Sequence, residues 1–218
     1  MHGIAAIMKE RHKTPLVGFY NYTVALTYLG AAAGLLGVFA AVDGKDKCAL
    51  LCLLLAGGCD LFDGLVARTR QRTEQEKRFG VQIDSLADLI SFGVLPAAIG
   101  YRLGMRGAWL ALLCVYALCA LIRLAYYNVT ADAMQAGAGE RRTAYEGLPV
   151  TTAALVFPLM ATVQNMANTE APYLYGGAML LMSAAFILRF RVTKPGVRGM
   201  AAAAAAGLAV LLLVLLRP

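Results

Sequence analysis

The sequence predicts an all-α fold: a polytopic bundle of about seven transmembrane helices, with six or eight as the neighbouring counts. Hydrophobic residues make up 60% of the 218 residues, charged residues only 15%, and the mean hydropathy is +0.64. A soluble domain does not need so much apolar surface. In addition, apolar runs long enough to cross a bilayer recur along the whole chain. We therefore expect an integral membrane protein.

Each predicted span is one apolar run bounded by polar or turn-forming residues. About 20 helical residues cross the hydrocarbon core, because an α-helix rises about 1.5 Å per residue. The runs lie at about 21–42, 48–66, 81–101, 108–127, 148–166, 173–188 and 200–216.

The first 20 residues carry charges, Pro15 and only short apolar pieces. We expect no cleavable signal peptide there. The segment forms either a short helix on the membrane surface or a frayed basic terminus. We divide the chain into this N-terminal segment (1–20), a six-span catalytic core (21–190) and a C-terminal linker with an extra helix (191–218).

The distribution of Lys and Arg predicts the orientation. With seven spans, 14 of the 20 basic residues lie on one side, five lie on the other, and Arg123 lies inside the fourth span. By the positive-inside rule, the N-terminus and the loop at 68–80 face the cytoplasm of a prokaryotic-type inner or cell membrane. A basic cytoplasmic face attracts anionic lipid head groups, so the net charge of +7 does not require nucleic acid as a partner.

Four aspartates interrupt the second and third apolar runs: Asp60, Asp63, Asp84 and Asp88. One unpaired carboxylate at the centre of a membrane helix costs roughly 2.5 to 3.5 kcal/mol, so four would cost on the order of 10 kcal/mol. Spacings of three and four residues place each pair on one helix face, and two facing helices can bring all four together. Hard cations such as Mg²⁺ or Mn²⁺ suit a cluster of oxygen ligands.

These aspartates are expected near the cytoplasmic surface. Asp60 lies roughly 12 Å inside the end of its helix, counted from Arg68 by the helical rise. Asp84 and Asp88 lie at a similar depth in the helix that returns from the same side. Such a site opens to the cytosol at head-group level, where an enzyme can bring a water-soluble substrate to the polar end of a lipid.

The residues around the aspartates resemble the signature of the CDP-alcohol phosphotransferases, membrane enzymes that displace CMP from a CDP-linked lipid with an alcohol. The matching pattern is Asp60-x2-Asp63-Gly64-x2-Ala67-Arg68, followed by Gly80-x3-Asp84-x3-Asp88. The 11 residues at 69–79 are more than this family usually has between the two halves of the signature. We expect this polar insert to alter the rim of the site and to leave the cluster intact.

The resemblance implies that Asp60, Asp63 and Asp84 hold divalent metal, with two ions expected, and that Asp88 is the general base and also touches the second ion. Elementary chemistry agrees with these roles, because cations neutralise the charge that grows on the leaving phosphate. A carboxylate is also the available base, since neither histidine of the chain lies near the cluster.

Several residues are candidates for binding the nucleotide and its diphosphate. Gly64 and Ala67 lack bulk where a nucleotide must approach the backbone, and Arg68 suits a phosphate or instead extends toward lipid head groups. Asn21 and Thr23 begin the first span and either lie near the nucleotide or act as helix caps. The full candidate set is Asn21, Thr23, Asp60, Gly64, Ala67, Arg68 and Gly80.

Three further segments, DSLADLISFGVLP at 84–96, CALIRLAYYN at 119–128 and EGLPVTTAA at 146–154, resemble the membrane phosphatidylserine synthases within this family. The resemblance implies transfer of a phosphatidyl group from CDP-diacylglycerol to the hydroxyl of L-serine, which releases CMP. Serine carries a carboxylate and an ammonium group, so its pocket should contain a cation and oxygen acceptors.

Arg123 is the first candidate for the serine pocket, because a charged residue deep in a span suggests a functional site, although it can equally pair with a carboxylate for structural reasons. Ser91, Arg141 and Arg142 are further candidates. Ser85 and Ser91 either line the pocket or bond to backbone carbonyls four residues back, and we favour the latter for Ser85. The connection at 129–147 either closes over the site or is solvated.

Small residues at one-turn spacing, Gly30, Gly34 and Gly37, predict a closely packed face of the first helix, either within the subunit or between two subunits. Homodimers are usual in the family, so a homodimer is expected. Gly93 and Pro96 should bend the third span.

Two alternatives stay open at this point. A transporter with intramembrane carboxylates would place them near the bilayer midplane in broken helices of two inverted halves, and we find no such repeat. A sibling enzyme would use glycerol 3-phosphate or inositol as the acceptor. A phosphorylated acceptor should require additional cations inside the spans, where Arg123 is the one evident cation.

Overall fold

The computed structural model of the chain describes residues 18–66, 69–136, 144–166, 172–193 and 197–216. The α-helices in these residues are α1 (Ala25–Val42), α2 (Asp46–Val66), α3 (Glu74–Asp88), α4 (Leu95–Arg102), α5 (Trp109–Ala136), α6 (Ala153–Met166), α7 (Tyr173–Ile187) and α8 (Val197–Leu216). Short 3₁₀ turns at Tyr22–Val24 and Val150–Thr152 precede α1 and α6, and a π-helix at Leu89–Val94 joins α3 to α4. The predicted all-α class is confirmed.

The described helices form seven rods, because α3, the π-helix and α4 are continuous. Four rods are long and apolar enough to span a membrane, at Tyr22–Val42, Glu74–Arg102, Trp109–Thr130 and Gly199–Leu216. The rods of α6 and α7 are shorter and also apolar. The remaining rod, α2, has 21 residues and carries charged side chains. The chain is an integral membrane protein whose rods follow the seven predicted apolar runs.

The third rod begins earlier than the sequence predicts. Its first residue is Glu74, not a residue near 81, and its first turns are polar. Thr73 caps this start: its hydroxyl accepts a hydrogen bond from the Glu76 backbone N–H, while the Glu76 carboxylate accepts one from the Thr73 backbone N–H. This capping box stabilises a helix end that hydropathy alone does not reveal.

The glycine face of α1 packs inside the subunit. A side chain at Gly34 would come within 2.5 Å of Ser91 Oγ, and one at Gly37 would come within 2.7 Å of Leu95. Gly30, Gly34 and Gly37 are all buried in the described chain. Of the two alternatives raised by the sequence, the structure shows packing within one subunit.

The π-helix lies at the predicted bend. Pro96 has no N–H, so the Phe92 carbonyl four residues earlier loses its usual helical donor. The Tyr116 hydroxyl donates to that carbonyl at 2.6 Å, and the Tyr175 hydroxyl donates to the Pro96 carbonyl at 2.8 Å. Two buried tyrosines therefore donate to backbone carbonyls inside the bundle, and they tie the third rod to α5 and α7.

Two three-residue strands depart from the all-helical prediction. β1 (Ala144–Glu146) pairs antiparallel with β2 (Arg191–Thr193), with Ala144 opposite Thr193. The Gly147 N–H also donates to the Phe190 carbonyl at 2.7 Å. The pairing joins the connection before α6 to the connection after α7. Such short segments have no apolar alternation from which a strand could be predicted.

We call one end of the bundle the basic end. It contains the start of α1, the loop and helix start at 69–82, and the segment at 144–152. The tight connections at 43–45 and 103–108 lie at the opposite end. α8 packs against α2 and α6, and Lys47 Nζ donates to the Leu215 carbonyl at 2.9 Å.

Candidate active site

Three of the four aspartates converge between α2 and α3. One carboxylate oxygen from each of Asp60, Asp84 and Asp88 lies within 4.8 Å of the other two, and all three residues are half-buried. Asp60 lies six residues before the end of α2, whereas Asp88 is the last residue of α3. The facing helices therefore bring together side chains that are up to 28 residues apart in sequence.

Asp63 joins this group through hydrogen bonds. Its carboxylate lies in hydrogen-bonding contact with that of Asp84, and the Thr27 hydroxyl of α1 donates to Asp63 Oδ2 at 3.4 Å. Two carboxylates can contact each other in this way only when a proton or a cation lies between them. The four aspartates therefore form one cluster, which we call the aspartate cluster.

The aspartate cluster lines a small pocket between α1, α2, α3 and the π-helix. Small side chains, Gly30, Ala56 and Ala87, form part of the wall, and Leu26 and Phe92 add apolar surface. Polar groups thus converge in a pocket that is otherwise apolar, which is the usual character of a ligand site.

The donor set fits a hard divalent cation. The cluster offers only carboxylate oxygens, the ligands that Mg²⁺, Mn²⁺ and Ca²⁺ prefer. Within the described residues, no Lys or Arg forms an ion pair with any of the four aspartates. A bound cation would compensate the mutual repulsion of these half-buried charges, so the cluster can hold a divalent metal.

The segment before α6 reaches the aspartate cluster from the other side. The Thr151 side chain hydrogen-bonds to the Asp60 carboxylate. Arg123 of α5 is buried, and its Nε donates to the Leu148 carbonyl at 3.3 Å, three residues before Thr151. Arg123 does not line the pocket around the aspartates. It instead holds the backbone of the segment that carries Thr151.

Asn21 and Thr23 lie at the start of the first rod and cap it. Asn21 Oδ1 accepts hydrogen bonds from the Thr23 backbone N–H, at 3.1 Å, and from the Thr23 hydroxyl. Asn21 Nδ2 donates to Glu76 Oε1 at 3.2 Å. The capping alternative raised by the sequence is therefore present in the structure.

The two serines that flank Asp88 have different neighbours. Ser91 lines the pocket, and its hydroxyl donates to the Gly30 carbonyl of α1 at 3.2 Å. The Ser85 hydroxyl donates to Asn128 Oδ1 at 3.0 Å. Our prediction that Ser85 bonds to a carbonyl four residues back is wrong, because the buried Asn128 of α5 offers an acceptor across the helix interface.

The two signature glycines face different surroundings. No described atom lies within 4 Å of a Cβ placed at Gly64, so the space beside it is open. A Cβ at Gly80 would lie 3.2 Å from Arg72 Nη1, so the guanidinium of Arg72 covers this glycine. The remaining sequence candidates, Ala67, Arg68, Arg141 and Arg142, lie outside the described residues.

A family model described as CDP-alcohol phosphatidyltransferase matches residues 20–190, which is most of the chain. The chain belongs to this family. The match confirms the resemblance found in the signature, and it favours an enzyme over the transporter.

Three relatives illustrate the similarity within the family. The CDP-diacylglycerol–serine O-phosphatidyltransferase of Saccharomyces cerevisiae is 42% identical over 116 residues, 51% of this chain and 41% of the yeast protein. The archaetidylserine synthase of Methanothermobacter thermautotrophicus is 31% identical over 182 residues, 83% of this chain and 72% of that protein. A CDP-diacylglycerol–serine O-phosphatidyltransferase of Helicobacter pylori is 26% identical over 187 residues, 81% of this chain and 73% of that protein. The chain thus spans less than half of the yeast relative.

Three residues that the sequence patterns do not single out lie in or beside this arrangement: Thr27 and Thr151 contact aspartates, and Arg72 lies beside Gly80. Thr27 lies one helical turn after Thr23 on α1, a polar repeat that the sequence does show. Thr151 lies within the quoted run EGLPVTTAA, without any sign of which residue it contacts. Arg72 is, in the sequence, one of several positive charges of the loop.

Proposed function

We propose that the protein transfers the phosphatidyl group of CDP-diacylglycerol to the hydroxyl of L-serine, forming phosphatidylserine and CMP. The observation that carries this proposal is the convergence of four aspartates in one pocket of a CDP-alcohol phosphatidyltransferase. Serine is favoured as the acceptor because the names of the yeast and archaeal relatives both contain it, although they differ in the lipid.

Asp60, Asp63, Asp84 and Asp88 would hold two divalent cations, Mg²⁺ or Mn²⁺. When bound, such ions neutralise the diphosphate and align it for in-line displacement. Thr27 and Thr151 would position the carboxylates of Asp63 and Asp60, because each hydroxyl can donate to one carboxylate oxygen and leave the other for the metal.

Asp88 would act as the general base. It lies next to the π-helix at the inner end of the aspartate cluster, where Ser91 and Phe92 line the pocket. Its carboxylate takes the proton of the serine hydroxyl as that oxygen forms a bond to the phosphorus of the phosphatidyl group. The bond from this phosphorus to the bridging oxygen breaks, and CMP leaves with the electron pair and the negative charge.

The nucleotide side of the site would be formed by the residues at the basic end. Asn21 and Thr23 shape the start of the first rod, and Gly64 leaves open space beside the backbone of α2. Ala67, Arg68 and Gly80 complete this proposed surface, with Arg68 as a phosphate ligand.

The serine side would be formed by Ser91, Arg123, Arg141 and Arg142. Arg123 contributes through the segment that it holds, because its contact with the Leu148 carbonyl fixes the approach of Thr151 to the aspartate cluster. Arg141 and Arg142 supply cations for the serine carboxylate from the connection before β1.

We also propose that the basic end faces the cytoplasm of a prokaryotic-type inner or cell membrane. This assignment follows from the bias of Lys and Arg toward that side. Anionic lipids would gather there, and the protein would act as a homodimer, as is usual in its family.

A substrate comparison with purified protein tests the proposal. The protein in detergent micelles receives CDP-diacylglycerol, Mg²⁺ or Mn²⁺, and labelled L-serine, glycerol 3-phosphate or inositol in parallel. We expect CMP release and labelled lipid with serine alone. Labelled lipid formed from glycerol 3-phosphate or inositol instead would show that serine is not the acceptor. If none of the three compounds led to CMP release, the proposed activity itself would be contradicted.

A further inference from the structure

The loop before α3 contains two arginines with different surroundings. Arg70 is exposed, and its Nη2 lies 3.6 Å from Glu76 Oε1, so it has an anionic partner within the chain. Arg72 is half-buried, and within the described residues it forms neither a hydrogen bond nor an ion pair. The Arg72 guanidinium therefore has no anionic partner within the described residues, in contrast to that of Arg70.

Arg72 lies in line with the aspartate cluster. Its Nη1 lies 3.2 Å from the position of a Cβ at Gly80. Gly80, Asp84 and Asp88 follow at intervals of four residues and share one face of α3. One helical turn rises about 5.4 Å, so the guanidinium lies about one turn from Asp84, toward the start of α3.

Both sides of the loop that carries Arg72 are anchored. The Thr69 hydroxyl lies 3.1 Å from the Tyr22 hydroxyl, at the start of the first rod. Thr73 and Glu76 form the capping box of α3, and Asn21 donates to the same Glu76 carboxylate. These contacts hold the backbone on either side of Arg72 before any ligand binds, which lowers the entropy cost of using its side chain.

We infer that Arg72 binds the diphosphate of the nucleotide–lipid substrate at the mouth of the aspartate pocket. The inference rests on the proposed function. A diphosphate held at the aspartate cluster extends toward the nucleotide, and a guanidinium one turn farther out can donate two parallel N–H groups to its outer phosphate. The lack of a side chain at Gly80 gives Arg72 the room to reach this position.

The test compares Arg72→Gln and Arg72→Lys with the matched control Arg70→Gln in the full-length protein. Binding of soluble CDP in the presence of Mn²⁺ is measured by calorimetry, and the KM values for CDP-diacylglycerol and serine are measured in micelles with and without anionic lipid. We expect Arg72→Gln to raise the Kd for CDP and the KM for CDP-diacylglycerol by about tenfold, the loss of one charge-assisted contact. The KM for serine should stay within about twofold, Arg72→Lys should be intermediate, and Arg70→Gln should resemble the wild type.

Unchanged CDP binding in Arg72→Gln would overturn the inference while leaving the proposed function intact. Equal weakening in Arg72→Gln and Arg70→Gln would also overturn it, because it would indicate general attraction by the basic loop. If Arg72→Gln changed only the response to anionic lipid, the guanidinium would bind a head-group phosphate instead. A wild-type protein that bound no CDP would contradict the proposed function as well.

Discussion

The two ends of α2 both carry acidic side chains, but these side chains have neighbours of opposite charge. At the end away from the basic loop, Asp46 Oδ1 lies 3.1 Å from Arg102 Nε, so the chain supplies the cation. At the basic end, Asp60 and Asp63 face Asp84 and Asp88, and no Lys or Arg of the described residues pairs with them. Asp46 thus has a cationic partner within the chain, whereas the four grouped aspartates have none among the described residues and can hold a cation from outside.

The largest effect that follows from this difference is expected for Asp88→Asn. The amide is nearly the same size but cannot accept the serine proton, so turnover should fall by about 10²- to 10⁴-fold. CMP release by the purified variant measures the change, and the melting temperature serves as the control for folding. Turnover within a few-fold of the wild type would remove Asp88 as the base.

The next effect concerns the metal itself. Chelation with EDTA should abolish CMP release, and added Mn²⁺ should restore it. Asp60→Asn and Asp84→Asn should raise the Mn²⁺ concentration needed for half-maximal activity by at least about tenfold, because each removes an anionic ligand. A titration of activity against Mn²⁺ gives this value. If both variants needed the same Mn²⁺ concentration as the wild type for half-maximal activity, the aspartate cluster would not be the site of the required metal.

A smaller effect is expected for the hydroxyls that contact the aspartate cluster. Thr151→Val keeps the shape of the side chain and removes its hydrogen bond to Asp60. Loss of such an outer contact typically costs about 10- to 100-fold in metal affinity or activity, and we expect the lower end because one hydroxyl is lost. Thr152→Val is the matched neighbour: Thr152 donates to the Pro149 carbonyl. Equal effects of the two substitutions on the Mn²⁺ midpoint would argue against a specific role of Thr151.

The smallest effect is expected at the opposite end of α2. Asp46→Asn removes the ion pair with Arg102. The Asp46 side chain is 36% exposed and the Arg102 side chain is 45% exposed. A pair this accessible contributes about 0 to 1 kcal/mol. Thermal unfolding should therefore shift only slightly, and CMP release should equal that of the wild type. A large loss of turnover in Asp46→Asn would undo the contrast between the two ends.

The rods and the aspartate cluster were predictable because they depend on local patterns. Continuous apolar runs specify the helices, and spacings of three and four place aspartates on one face. The polar start of α3 was missed because hydropathy does not register it, although Thr73 and Glu76 form a capping pattern that the sequence contains.

Other features depend on contacts between distant segments. The Ser85 hydroxyl donates a hydrogen bond to Asn128. The Arg123 guanidinium donates one to the Leu148 carbonyl. The Arg72 guanidinium lies beside Gly80. No spacing rule relates these partners, because each pair joins different rods or a loop and a helix. The β1 and β2 strands have the same origin: two short connections meet only after the rods have packed.

The most direct measurement of the central claim is Mn²⁺ binding to the purified protein, followed by electron paramagnetic resonance without any substrate. The wild type and Asp46→Asn should bind Mn²⁺ alike, whereas the double variant Asp60→Asn and Asp84→Asn should show little bound ion at the same concentration. If the double variant, folded as judged by its melting temperature, bound Mn²⁺ as the wild type does, the aspartate cluster would not be the metal site.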